Sequence, residues 1–423
     1  MDTLPEIPEW VKLEHQVAKL LTNQEQHGWQ FDTRAAQELT LQLQQDLRET
    51  KDDLLRRHPY VDGGSFTPKR NNGVTGYVKG AEFCKLKELN PSSRDHIAWI
   101  LQTHYSWQPS KLTPTGKPIV DETVLKEIGS PISMLFLKCM TVQKMLGFLS
   151  EGGNAWLKLV TTADRIHHHC SVATNTHRCA HRNPNLAQVP SDGRFRKLFI
   201  PSPGQIMVGA DLSGIELRML AHYLSRYDGG RYAKILIEGD IHQINADKIG
   251  ITRKQVKTVT YAFLYGAGDE KIGLSFDDQL SPTKAKAKGK EIRAAYVDAV
   301  EGLGDLLEAI KKASERGFVR SFDGRKILLD SSHKALNYLL QCGAGVIAKR
   351  WMVIADQTIK DVGICASQLA FIHDELQYEC HPEHATDLRT SLVLSAQLAG
   401  EYYKLRIPIG AEAKVGNSWS EVH

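Results

Sequence analysis

No CxxC pair occurs among the seven cysteines, and Cys84, Cys139, Cys170, Cys179, Cys342, Cys365 and Cys380 are scattered along the chain. That spacing excludes a zinc ribbon and a disulfide framework and leaves reduced thiols used for packing. No stretch reaches the roughly 18 to 20 uninterrupted apolar residues of a membrane span. The acidic, Pro-containing start Met1–Trp10 also lacks the basic-then-apolar layout of a signal peptide. The reading is a cytoplasmic protein with no membrane partner. Strong charge of either sign is missing too: 53 Lys and Arg stand against 49 Asp and Glu, a net +4 that by itself points to no polyanion. There is no internal repeat and no low-complexity tail. What is present is 423 residues, 42% hydrophobic and 24% charged, enough for one large core or roughly two to three subdomains.

Helical periodicity runs over residues 8–27 through Val11, Ala18 and Leu21 and stops at Gly28, and Asp32 can start a second helix through Leu55. His58 to Asn90 is Gly-rich and Lys-containing with few apolar anchors. Asn90-Pro91-Ser92-Ser93-Arg94-Asp95 then reads as a turn into a helix N-terminus, where Ser92 and Ser93 bring free amides to a phosphate or merely cap the helix. Strand patterns come late, in Gln205–Asp211, Phe318–Leu329 and Gln368–Cys380, which gives a mixed α+β fold. Lys284, Lys286, Lys288, Lys290 and Arg293 form a basic run, placed just before an amphipathic helix starting near Ile292 and read as a solvated face. His167-His168-His169-Cys170 is no metal site if it is a strand, because neighbours there point to opposite faces.

Three segments carry chemistry. In Gln205–Arg218 an apolar run ends at Asp211 and turns through Ser213-Gly214 into a helix, so Asp211 either meets a cation at a strand tip or caps that helix. In Ala370–Glu379 an alternating strand pair turns at His373-Asp374-Glu375 without glycine, leaving Asp374 as a second ligand beside Asp211 or as part of an exposed polar turn. A magnesium ion prefers such a set, a few carboxylates completed by water and substrate phosphates. In Thr252–Gly268, Thr252 and Gln255 form a capping box, and Arg253, Lys257, Tyr261 and Tyr265 recur every fourth position. Two cations followed by two aromatics on one helix edge suit a nucleoside triphosphate, against the alternative of a plain solvated face.

Together these segments resemble motifs A (DLSGIELR), B (RKQVKTVTYAFLYG) and C (HDE) of the family A DNA polymerases. Thr176-His177-Arg178 with Asn183–Gln188, Asp323-Gly324-Arg325-Lys326, Asn337–Gln341 and the ending Gly416–His423 extend the likeness. LYGAGDEKIG, NPSSRDHI, NPNLAQ and GDIH are similar to the T-odd coliphage branch. The resemblance implies a right-hand fold: thumb and N-terminal helices over 1–160, palm over 161–230 and 351–423, and fingers over 231–350. It also implies a DNA-directed DNA polymerase acting on primer-template DNA and dNTPs with two Mg²⁺ ions.

In that resemblance Asp211, Asp374 and the Leu212 carbonyl hold the metals, while Arg253, Lys257 and His242 bind the triphosphate, with Lys257 protonating the leaving group. Glu216 crowds the ribose 2′ position and Tyr265 stacks near the templating site. Arg178 and Gln341 test the minor groove, with Asn337 in the same DNA-binding region, and His373 steadies the primer end. Tyr261 implies ready use of dideoxynucleotides.

His177 replaces the family's usual glycine, which puts the local turn in question. An N-terminal exonuclease domain is expected to be absent, with proofreading from a separate chain. His58–Asn90 is too short for the thioredoxin-binding insertion of the coliphage relatives, so no thioredoxin partner is assumed, although Lys69, Arg70, Lys79, Lys85 and Lys87 there suit phosphate tracking. Two competing readings are a single-subunit RNA polymerase, disfavoured by Glu216 and the HDE tip, and a nucleic-acid binder without catalysis, disfavoured by the intact carboxylates and cations.

Overall fold

The computed structural model describes residues 6–172, 174–277 and 280–423. Two compact units form, Thr33–Val160 and Met1–Asp32 joined with Thr161–His423. The first helix therefore groups with the later unit, not with residues 33–160 as the expected 1–160 thumb had it. Helix α1, Glu9–His27, buries Leu13, Val17, Leu20 and Leu21 as one apolar stripe, and a single exposed helix has no other way to cover such a stripe.

The larger unit is built on a four-stranded antiparallel sheet of β1 (Ile206–Leu212), β2 (Ala366–Ile372), β3 (Glu375–Cys380) and β4 (Ala411–Gly416), in spatial order β2-β3-β1-β4. In β1 the only residue without a side chain, Gly209, passes under Gln377: a Cβ there would lie 2.6 Å from Gln377 Nε2 and 2.7 Å from the Val422 carbonyl. The polar alternation of β3 predicts one solvated face, yet every residue from Glu375 to Cys380 is buried. Glu379 is held by Ser202 and His27, and Glu375 by Trp419 and His423, so segments remote in sequence cover that face and satisfy its polar groups.

Between the strands lie α2 (Arg253–Leu264), the helices Asp269–Phe276, Pro282–Ala299 and Leu303–Ser314, a short hairpin (Phe318–Arg320 with Lys326–Leu328), and the long α3 (Ala335–Val362). The basic run does not precede a helix; it lies inside Pro282–Ala299. Ser281 and Pro282 start the helix, and Lys and Ala are good helix formers. His168 is fully buried, while His167 and His169 bond to Glu25, and the described residues hold no cluster of three metal-ligating side chains. All seven cysteines are free. Five are buried as packing residues, whereas Cys84 and Cys365 are exposed.

In the unit Thr33–Val160 the Gly-rich stretch is a strand pair, Tyr60–Phe66 with Phe83–Glu88, rather than an anchorless loop. Phe66, Tyr77 and Phe83 pack edge-on at 4.9 to 5.0 Å, and such a trio, spread over the chain, leaves no periodic mark in sequence. Pro131–Leu159 is long and apolar enough on composition to cross a membrane, contrary to the first reading. Its apolar side is core: Ile132, Phe136, Leu137, Val142 and Leu146 are buried where the helix packs on Thr33–Arg57.

Candidate active site

β1 is buried up to Ala210, and Asp211 then stands at its accessible end. β2 and β3 meet in a two-residue turn of His373 and Asp374, and His373 supplies the positive φ of 59° that glycine normally provides in such turns. The Leu212 amide donates to the Asp374 carbonyl at 3.0 Å, and Glu375 is the cross-strand neighbour of Asp211. The carboxylates divide into two kinds. Glu375 accepts from Trp419 Nε1 at 2.6 Å and Gln377 Nε2 at 2.5 Å, and it pairs with His423 at 3.0 Å. Neither Asp211 nor Asp374 makes an ion pair among the described residues.

Burial on the walled sides pushes Asp211 up to about 7, and the negative charges of Asp374 and Glu375 add to the effect. Burial, then the nearby Glu216, pushes Asp374 up to about 6. Two crowded carboxylates beside an open strand end form an all-oxygen donor set that fits a hard divalent cation.

α2 begins as expected: Thr252 Oγ1 accepts from the Gln255 amide while Gln255 Oε1 accepts from the Thr252 amide at 2.9 Å. Val256, Val259, Thr260, Phe263 and Leu264 are buried, which leaves Arg253, Lys257, Tyr261 and Tyr265 along the open edge. Lys257 is exposed and makes no ion pair or hydrogen bond through its ammonium among the described residues. The Tyr261 and Tyr265 rings lie 6.5 Å apart, and His242 lies 6.2 Å from Tyr261, so His242 joins the same edge from the helix Ile241–Ile249. Its imidazole is held below the usual range by burial first and then by the Arg253 charge.

Arg178 Nη2 donates to Glu216 Oε1 at 2.9 Å, and the Tyr265 hydroxyl donates to the same oxygen at 3.4 Å. Three residues with separate expected roles are thus linked here. His177 takes φ 58°, a left-handed backbone that glycine adopts more readily, with Nε2 3.1 Å from the Lys326 carbonyl. Gln341 is half-buried on α3. Asn337, one turn earlier, is buried and donates to the Leu264 carbonyl at 2.7 Å, which makes it a brace for the end of α2 rather than a free donor. Ser93 caps Arg94–Tyr105 and Ser92 Oγ donates to Gln143 Oε1 at 2.5 Å, so both hydroxyls serve their own unit and the capping alternative is the one realised.

Two features escaped the sequence reading. Asp240 pairs with Arg253, and its only signal was its place in GDIH. Behind His373 stand His181, edge-on at 5.9 Å, and His168, stacked on His181 at 6.1 Å; burial holds them down at about 4 and about 3. Isolated histidines give no such signal.

The sequence pattern of DNA polymerase family A matches residues 77–421. The DNA-directed DNA polymerase of Enterobacteria phage T3 is 31% identical over 98% of this chain and 70% of its own length, and that of Escherichia phage T7 is 30% identical over the same shares. DNA polymerase I of Pseudomonas aeruginosa is 26% identical over 80% of the chain and 39% of its own length. Among solved structures, the POL domain of Pol1 from M. smegmatis in complex with DNA primer-template and dNTP superposes with a TM-score of 0.78 at 23% identity, covering 97% of this chain and 70% of that one.

Proposed function

The chain belongs to DNA polymerase family A and is a DNA-directed DNA polymerase that binds DNA and nucleotides, and from that premise we propose that Asp211 and Asp374 hold two Mg²⁺ ions where primer and dNTP meet. The observation that carries this reading is the unpaired, crowded carboxylate pair at the end of β1 and the β2–β3 turn. The Leu212 carbonyl is the further ligand.

Bound there, the ions would lower the pKa of the primer 3′-hydroxyl and neutralise charge on the phosphates. The chain's own groups do the rest. The 3′-hydroxyl gives up its proton to solvent water and its oxygen forms a bond to the α-phosphorus as the bond to pyrophosphate breaks, and Lys257 donates a proton to that leaving group. Arg253 and His242 hold the triphosphate, Glu216 excludes a 2′-hydroxyl by bulk, and Tyr265 covers the templating position. Tyr261 faces the sugar 3′ position, where its hydroxyl favours dideoxynucleotide use. Arg178 and Gln341 donate to minor-groove acceptors common to all correct pairs, with Asn337 bracing that region. His373 backs the primer terminus. Residues 33–160 act as thumb, 161–230 and 351–423 as palm, and 231–350 as fingers. The enzyme works in the cytoplasm of an infected host and without thioredoxin.

Primer extension with Mg²⁺ on the wild type and Asp374→Ala tests the core of this reading. The variant should lose roughly 10³-fold or more, as expected when a metal clamp on transferring phosphoryl groups is dismantled. Activity within tenfold of wild type would sink the assignment. In the same assay added thioredoxin should leave product length unchanged.

A further inference from the structure

Asp240 has no part in the roles assigned above, yet its carboxylate joins two of their holders. Oδ1 accepts from the backbone amides of His242 at 3.1 Å and Gln243 at 3.0 Å and so caps the helix Ile241–Ile249. Oδ2 accepts from Arg253 Nε at 2.7 Å. One side chain thus ties the first turn of the helix carrying His242 to the first turn of α2. Among the described residues only Nε of the five N–H donors of Arg253 has a partner, and the Nη fork stays open. Among the described residues His242 Nδ1 is buried without a hydrogen-bond partner.

The pair is about half exposed on both sides, and exposed pairs of this kind contribute little to stability. Its consequence is geometric. An arginine fork grips a phosphate through two parallel bonds, and a fork already held at Nε has fewer rotamers to give up when the phosphate arrives.

We propose that Asp240 is a positioning residue for the incoming triphosphate: it aims the free fork of Arg253 and sets the helix of His242 toward the same phosphates. This rests on the assignment of Arg253 and His242 to the triphosphate, and the test separates the two. Asp240→Asn keeps a capping oxygen, since Asn caps helices as well as Asp, but removes the charge that holds Arg253. The expected result is a KM for dNTP raised about two- to tenfold, the range associated with ordering one rotamer-rich side chain. The kcat should change by less than about twofold, with thermal melting unaltered.

In an Arg253→Lys background, which has no Nε, adding Asp240→Asn should produce no further rise. An unchanged or lowered KM in Asp240→Asn, or the same rise in the Arg253→Lys background, overturns the proposal. If the Asn variant melts lower than wild type, the Arg253→Lys comparison alone decides. Arg253→Ala supplies the control: an unaltered KM there removes the triphosphate assignment itself, whereas a raised KM there with none in Asp240→Asn removes only the role of Asp240.

Discussion

Asp211 is a residue whose usefulness and whose stability pull in opposite directions. Its carboxyl titrates near 7 in the folded chain against an ordinary value of 3.8, so between those values the folded state keeps a proton that the unfolded state has released. Above about pH 7 the fold therefore bears an ionised group it disfavours, and this penalty shrinks as pH falls toward the ordinary value. Asp211→Asn in EDTA should raise the melting temperature by a few degrees at pH 8, with the gain fading by pH 5, while DNA synthesis is lost. Equal melting of both proteins at pH 8 would contradict this account. At this scale the chain was partly legible. The apolar run into Asp211 and the charged tip at Asp374 mark two carboxylates at strand ends, but each alone reads as readily as a cap or a turn. His177 and His373 in left-handed backbone were not foreseeable from residue type.

Helix α2 is the element whose role was clearest in advance, because its capping box, its apolar side and its line of Arg253, Lys257, Tyr261 and Tyr265 all follow a local repeat of 3.6 residues. The helices after it were less legible, since a close crossing depends on what lies opposite. A Cβ on Gly289 would lie 1.7 Å from the Asp269 carbonyl oxygen, and one on Gly273 would lie 1.9 Å from that of Ala285. Backbone meets backbone, so neither side can yield by a rotamer change. Gly289→Ala should cost about 1–3 kcal/mol in denaturant unfolding, the range for overpacking. Gly304→Ala, where the new methyl meets only Val297 Cγ1 at 3.8 Å, should be neutral or slightly stabilising. Similar losses at both positions would mean that the crossing is not what Gly289 protects. The lysines flanking Gly289 misplace the helix start in sequence because their charge hides the buried stripe of Ala285, Gly289, Ile292 and Tyr296.

Across the whole unit, α1 from the beginning of the chain is fastened to α3 by buried charge. Lys349, fully buried, donates to Glu14 at 2.7 and 2.9 Å, and Arg325, 1% exposed, pairs with Glu14 and Asp323 at 2.6 Å each. Glu14→Gln leaves the buried Lys349 ammonium without its counter-charge and should cost about 3–5 kcal/mol, whereas Lys349→Met should cost less than about 1 kcal/mol because Glu14 stays paired with Arg325 and a buried thioether needs no partner. Chemical denaturation of both variants reads this directly, and a larger loss for the Met variant would refute it.

By itself the sequence determined what depends on neighbours in the chain: helix periods, caps, the strand leading to Asp211, and the ordered motifs that mark the family. Only the tertiary structure decided that Glu375 is occupied while Asp211 and Asp374 stand unpaired. The same holds for the bond from Asp240 to Arg253, and for the grouping of α1 with the residues after 160. Those facts arise from contacts between segments tens to hundreds of residues apart, where burial and charge are set by the partner and no local pattern records it.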